Sequence, residues 1–286
     1  MGNLPQIGQS LELPISIQVP AYLLDHAFAG TAVLPAVESM QLLVQKIREL
    51  EQDIDLRCFT QAWFEKFLVL QPGQESIEAC VEIDRPQDNC FSARLVTRTR
   101  HAGSGITRVR EHARACLGQL PGEAGYQAVP WRWGSGGEMA VAADKVYNQL
   151  VPFGPAYQNI CDTLYLSRAA AVAEICAPSL PVEEPELGSP FVLDGALHAA
   201  CVWGQRYCGF IGFPMGFDSR YVVNPPQPGR RYKAQVLPVS QGRREGVFEL
   251  CIRDQGDRIY EVVHGLRMRD VTGGRLQPVD WIQAGA

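Results

Sequence analysis

His26 opens the run His26-Ala-Phe-Ala-Gly30-Thr-Ala-Val-Leu-Pro35, and far downstream Asp194 opens the run Asp194-Gly-Ala-Leu-His198. An imidazole and a carboxylate are side chains suited to moving protons near neutral pH. Together they suggest removal of a proton next to a carbonyl, with loss of a neighbouring hydroxyl. His26 reads as lying just before a helix. Gly30 permits a positive φ or a close backbone approach, and Pro35 suits the first helical turn. The free N–H groups of such a turn can receive an oxyanion while the imidazole takes an α-proton from a thioester. The plainer reading of His26 is a loop histidine that caps the helix or faces solvent.

Asp194 and His198 are four residues apart on a predicted helix, so they project from one face. Leu193, Leu197 and Ala200 line the adjacent buried face. Burial at the apolar entrance of that helix would raise the carboxyl pKa and keep it protonated. Such an acid donates a proton to a leaving hydroxyl, with His198 orienting it. The plainer reading is a carboxylate favoured by the helix dipole, with His198 as its i,i+4 partner. A third run, Phe153-Gly154-Pro155-Ala-Tyr157, reads as a rigid turn entering a strand, its aromatics able to wall a tunnel. Taken alone it is an ordinary turn.

The other histidines carry less. His112 alternates with Arg108, Arg110 and Arg114 and reads as part of a solvated strand face. His264 shares parity with Val262, Leu266 and Met268 and reads as a satisfied core residue, and His101 falls in a hairpin turn. No spacing of His, Cys and Asp suggests a metal site. No glycine-rich phosphate loop and no serine elbow is present.

These residues need elements to hold them. The chain reads as two passes of one pattern: a lead-in, one helix, then several strands. In the first pass a strand covers 11–19 and a helix covers 34–50. The helix has apolar residues Val33, Val37, Met40, Val44 and Ile47 at spacings that mark one buried face. Strands follow over 56–70, 75–84, 90–100 and 106–117, the last two joined by a glycine-rich turn at 101–105. A loop rich in Gly, Pro and Trp over 118–137 is the linker, its tryptophans packing on the surface. The second pass holds a short helix at 141–150, strands at 157–167 and 170–177, a loop at 178–190 and a helix at 191–207. Strands at 213–223, 231–239, 246–254 and 258–269 complete it. The units are thus 1–120, a linker over 121–140, and 141–286, forming one pseudo-dimeric domain. A central helix wrapped by a bent antiparallel sheet, twice over, is an α+β double hotdog. A parallel fold would need a helix between successive strands.

Bulk properties narrow the class. The chain has 286 residues, 46% hydrophobic and 20% charged, which is ordinary globular composition. A net charge of −5 offers no basic excess for nucleic-acid phosphates. No signal peptide opens the chain, and no apolar run approaches the ~20 residues of a spanning helix. The nine cysteines form no C-x-x-C pair and sit mostly in apolar runs. They read as buried reduced thiols in a cytoplasmic protein.

The motifs in their order resemble the dehydratase domains of polyketide synthases and of related fatty-acid and polyunsaturated-fatty-acid synthases. The pattern H-x-x-x-G-x-x-x-x-P is met by His26, Gly30 and Pro35. G-P-x-F/Y is met by Gly154, Pro155 and Tyr157, and D-x-x-x-Q/H by Asp194 and His198. Phe213-Pro214-Met215-Gly216 echoes a later Leu-Pro segment. The match covers about residues 10–270. The resemblance implies that His26 and Asp194 meet from the two halves as base and acid, with Gly30, Pro35, Gly154, Pro155, Tyr157 and His198 in support. It implies dehydration of a 3-hydroxyacyl thioester carried on the phosphopantetheine arm of an acyl carrier protein. It further implies that the enzyme itself binds no cofactor or metal. Partners would be the carrier protein and other synthase domains, with a homodimer possible and neither nucleic acid nor membrane involved. One departure is that the family's tyrosine just before the Gly-Pro turn is Phe153 here, leaving the pocket more apolar. A product-template-like cyclase and an inactive carrier-docking module are the alternatives.

Overall fold

The computed structural model describes residue 5 and residues 7–100, 105–118, 129–131, 139–179 and 185–285. Residues 101–104 of the expected turn and most of the linker at 121–140 lie outside these residues.

The first half begins with strand β1 (Ser10–Gln18), a short 3-10 turn (Ala21–Asp25), and a small hairpin of β2 (Ala27–Phe28) and β3 (Thr31–Val33). Helix α1 (Ala36–Leu50) follows directly on Pro35, whose extended backbone caps it. Val37, Met40, Leu43, Val44 and Ile47 are buried on one side, as the spacing requires. Next come β4 (Cys58–Trp63), β5 (Val69–Leu70), β6 (Ser76–Gln87), β7 (Cys90–Arg100) and β8 (Thr107–Gly118). The expected strand over 56–70 is in fact two: β4 joins the main sheet, while β5 pairs with β3 in a separate small one.

The second half begins with β9 (Met139–Ala142), a single turn of helix α2 (Ala143–Lys145) and a π-type turn at Val146–Leu150. Strands β10 (Ile160–Ser167) and β11 (Ala170–Cys176) lead to α3 (Pro190–Tyr207). Then follow β12 (Phe213–Val222), β13 (Arg231–Gln241), β14 (Glu245–Asp254), β15 (Ile259–Arg269) and a final turn α4 (Asp280–Gln283). Helix α3 is buried all round from Pro190 to Arg206, not along one face. Strands β10, β11, β13, β14 and β15 wrap it, and α1 and α4 pack on it too.

Twelve strands form one antiparallel sheet in the order β1-β6-β7-β8-β4-β12-β15-β14-β13-β11-β10-β9. The two halves join at the pairing of β4 with β12, each the first strand of this sheet after its half's helix. This is the double hotdog, with one hydrophobic core running through both halves.

Three sequence expectations are corrected. Cys161 and Cys176 are joined by a disulfide between β10 and β11, so not all nine cysteines are free thiols. Each is only half-buried, on neighbouring strands in which Cys161 stands opposite Glu174, two residues from Cys176. His112 is buried, not solvated, because β8 carries a register shift against β7. Its Nδ1 lies 3.0 Å from the Lys66 carbonyl and its Nε2 2.8 Å from the Thr97 hydroxyl. His264 is half-buried rather than a core residue, and its Nδ1 is paired with Glu249. His101 lies outside the described residues. In the linker region, Val129 is buried with Cys251 and Val262, and Trp131 stacks under the Arg253 guanidinium. This short piece packs on the outer sheet surface as its composition suggests.

Candidate active site

His26 ends the 3-10 turn and leads into the β2–β3 hairpin, ten residues short of α1. The expectation that it introduces a helix is therefore wrong. The run to Pro35 spends its length on the hairpin, whose two-residue turn puts Ala29 at φ 49° and Gly30 at φ 77°. Two positive φ values suit a tight hairpin turn, and a glycine relieves one of them. The first turn of α1 thus does not follow His26 directly in the chain, although Ala36 in that turn borders the same cavity.

The hairpin fixes the ring. His26 Nδ1 lies 3.1 Å from the Val33 carbonyl. A carbonyl only accepts, so Nδ1 carries the proton and Nε2 keeps its lone pair. That Nε2 lies 3.8 Å from Asp194 Oδ1. Asp194 is the fifth residue of α3, and its other oxygen lies 2.9 Å from His198 Nε2, one helical turn on. The sequence thus brings His26, Asp194 and His198 together from two halves of the chain, and all three border one cavity.

Gly154, Pro155 and Tyr157 work from behind. The Gly154 N–H donates to the Asp25 carbonyl at 2.7 Å, and the Ala156 N–H donates to Asp25 Oδ2 at 2.9 Å. Asp25 immediately precedes His26, so this turn of the second half clamps the histidine of the first. A Cβ on Gly154 would stand 2.4 Å from Asp25 Oδ1, which explains the glycine. Tyr157 is fully buried, its ring 4.9 Å from that of His26. Phe153 packs on both imidazoles, with ring centres 4.3 Å from His26 and 5.0 Å from His198. Phe153 also lines the cavity, as the missing tyrosine hydroxyl predicted for an apolar wall.

Sequence reasoning missed Asp25, Tyr147 and Glu38. The Tyr147 hydroxyl accepts from the Ile160 N–H at 2.7 Å and lies 3.3 Å from His198 Nδ1. It thereby anchors the far side of that ring. Glu38, on the first turn of α1, faces the phenols of Tyr22 and Tyr157. No motif marks any of these three residues. An acidic residue directly before His26 was the one available hint.

The electrostatics favour a neutral base beside an ionised acid. Burial pushes the His26 pKa down, and it outweighs the opposing pull of Asp194. Burial alone would raise Asp194, but the neighbouring His198 and His26 outweigh it, and the carboxyl sits below its ordinary value. The balance thus leans to the carboxylate, against the expected protonated acid, with His198 the main cause.

The cavity measures about 850 Å³, part of it open to solvent. Its wall is largely apolar, with Phe28, Phe64, Phe67 and Phe213 alongside Pro214. Phe213 stacks between Phe28 and Phe67, at 5.2 and 5.5 Å. Phe67 and Lys66 are exposed, so the cavity reaches the surface beside them. An apolar channel ending on two imidazoles and a carboxylate suits a narrow acyl chain brought to proton-transfer groups.

A sequence family described as "Polyketide synthase dehydratase N-terminal domain" matches residues 132–278, just over half of the chain. That range contains Gly154, Pro155, Tyr157, Asp194 and His198 but not His26. Solved structures match along nearly the whole length. A trans-AT polyketide synthase dehydratase domain from Brevibacillus brevis is 15% identical with a TM-score of 0.72, covering 91% of this chain and 93% of its own. A monomeric dehydratase domain from a trans-AT polyketide synthase split module is 12% identical with a TM-score of 0.73, covering 92% and 100%. The dehydratase domain of the CurF module of curacin polyketide synthase is 15% identical with a TM-score of 0.72, covering 93% and 95%. At such identities the likeness is one of fold. No curated protein matches the sequence.

Proposed function

From the premise that the chain belongs to the polyketide synthase dehydratase family, we propose that it removes water from a 3-hydroxyacyl thioester held on the phosphopantetheine arm of an acyl carrier protein. The carrying observation is the approach of His26 Nε2 to within 3.8 Å of Asp194 Oδ1 at the wall of an apolar cavity. Dehydratase domains of this family are hydro-lyases that work within synthase assemblies, so carrier protein and neighbouring synthase domains are its partners. Residues 1–120 and 141–286 act as one pseudo-dimeric unit, since base and acid come from different halves. Among the described residues no helix is long and apolar enough to cross a membrane.

In this reading neutral His26 takes the α-proton at Nε2, and the electron pair moves onto the thioester carbonyl as an enolate. The enolate collapses, the Cα–Cβ double bond forms and the Cβ–O bond breaks. His26, now an imidazolium, passes its proton to the Asp194 carboxylate, which delivers it to the departing hydroxyl. The α-proton and the hydroxyl leave together as water, and both groups return to their resting forms. His198 and Tyr147 orient the carboxylate, while Val33 and the clamped turn at Gly154 and Pro155 orient the imidazole. Gly30 shapes the hairpin, Pro35 starts α1, and Tyr157 backs the His26 ring. The protons move between side chains, so the step calls on no bound cofactor.

The test is incubation with a short 3-hydroxyacyl-pantetheine thioester, followed by mass spectrometry. Wild type should lose water from the substrate. His26→Ala and Asp194→Asn should each reduce the rate by at least about 100-fold, the usual worth of a positioned proton-transfer group. Full activity in His26→Ala, with an unchanged melting curve, would sink the assignment.

A further inference from the structure

The same three side chains carry a second kind of chemistry. One ligating atom from each of His26, Asp194 and His198 lies within 4.8 Å of the others. Two imidazoles and one carboxylate on one face of a cavity form a donor set that suits zinc-type divalent ions, with positions left open for water. Such an ion holds nitrogen and oxygen ligands at 2.0–2.2 Å, which places neighbouring ligands about 3.3 Å apart in a tetrahedron. His198 Nε2 lies 2.9 Å from Asp194 Oδ2 and His26 Nε2 3.8 Å from Asp194 Oδ1, so the carboxylate offers one oxygen to each ring near that spacing.

The surroundings also fit. In metal sites the far nitrogen of each ligating histidine is held by an outer hydrogen bond, which fixes the ring and points its other nitrogen at the ion. Here His26 Nδ1 is held by the Val33 carbonyl and His198 Nδ1 faces the Tyr147 hydroxyl. Both rings therefore present Nε2 to the same carboxylate. Tyr147 can accept from His198 Nδ1–H by rotating its own hydroxyl proton away. That frees His198 Nε2 to ligate. The cavity gives an ion a path in, since His26 retains 14% side-chain exposure.

We propose that His26, Asp194 and His198 form a binding site for one divalent transition-metal ion of the zinc class, and that its occupation shuts off the acid–base pair. Binding stands on the geometry alone. The inhibitory effect rests on the proposed dehydratase reading, because the ion would tie up the Nε2 lone pair that takes the α-proton. Magnesium and calcium prefer oxygen ligands and should not compete.

The experiment is titration of the metal-free protein with cobalt(II), followed in the visible and near-ultraviolet, then with zinc(II) to displace it. The expected result is one equivalent of cobalt with ligand-field bands, and with no thiolate charge-transfer band. His198→Gln and Asp194→Asn, checked for folding by circular dichroism, should each weaken binding at least tenfold. Tyr147→Phe keeps all three ligands and should still weaken it by about tenfold, as outer-shell losses do. Unchanged cobalt affinity in both His198→Gln and Asp194→Asn would overturn the site. So would a thiolate band that vanishes in Cys201→Ser, since Cys201 also lines the cavity. In the thioester assay, zinc should abolish turnover and a chelator restore it. Turnover unchanged by a bound stoichiometric ion would overturn the inhibitory half. A wild type that binds cobalt but dehydrates nothing would count against the dehydratase reading and leave the metal site standing.

Discussion

Two titratable groups, His26 at the cavity and Glu38 behind it, respond to burial in opposite directions. For His26, burial lowers the pKa below the ordinary 6.5. The base is thus unprotonated at neutral pH, and the acid limb of kcat/KM should fall below pH 6.5. A limb well above that value would mean that another group limits the rate. For Glu38, burial pushes the carboxyl from an ordinary 4.5 up to about 7, with the Asp194 charge adding to it and the Tyr22 and Tyr157 phenols opposing. The folded state therefore holds this proton more tightly than the unfolded chain. Its stabilising contribution is full below pH 4.5 and is lost as pH rises through 7. Glu38→Gln mimics the protonated form. It should be more stable than wild type at pH 8, by up to about 3 kcal/mol, and no more stable at pH 4. Urea melts at the two pH values measure the difference, and an equal gain at both would refute the linkage.

At the scale of elements, the decisive contact is between a turn in one half and a 3-10 turn in the other. Asp25 takes two N–H donors from the Gly154–Ala156 segment through its backbone and its side chain. Gly154 has an ordinary φ of −70°, so its identity reflects close approach and not backbone strain. Gly154→Ala should push Asp25 away, cost about 1–3 kcal/mol as overpacking does, and displace His26. The expected readout is a fall in kcat of tenfold or more with KM little changed, alongside a lower melting temperature. An alanine variant with full kcat would show that the clamp does not set the base. Helix α3 shows the complementary case. Its length and start were readable, but its burial on every side follows from being wrapped by the sheet and by α1 and α4.

For the whole molecule, the seam at β4 and β12 holds the halves in register. Arg220 of β12 lies there, essentially buried. Its guanidinium pairs with Glu261 of β15 at 2.9 Å, contacts Met40 of α1 and packs over Phe59 of β4. Removing one partner leaves a buried charge unpaired, which costs about 3–5 kcal/mol. Arg220→Ala should therefore lose that much stability in denaturant titration. The double variant Arg220→Met with Glu261→Gln removes both charges and should recover most of it. A loss below about 1 kcal/mol in Arg220→Ala would mean that the buried pair adds little to the stability of this seam.

Periodicity and local motif order were enough for the sequence to specify two helices, most strands, the duplication and the four residues His26, Gly154, Asp194 and His198. Those signals are local: an apolar stripe along α1, alternation in a strand, a Gly-Pro turn. What the sequence could not specify is non-local. His26 precedes a hairpin and not a helix, because the pairing of β3 with β5 competes for the same residues. The Asp194 carboxyl is lowered because His198, with a smaller share from His26 of the other half, outweighs the burial its local setting predicts. His112 turns inward through a register shift that strand alternation cannot register. Asp25, Tyr147 and Glu38 carry no spacing signal, since their partners lie far away in the chain. Only when the sheet closes around both helices do a base, an acid and their supports come within a few ångströms of one another.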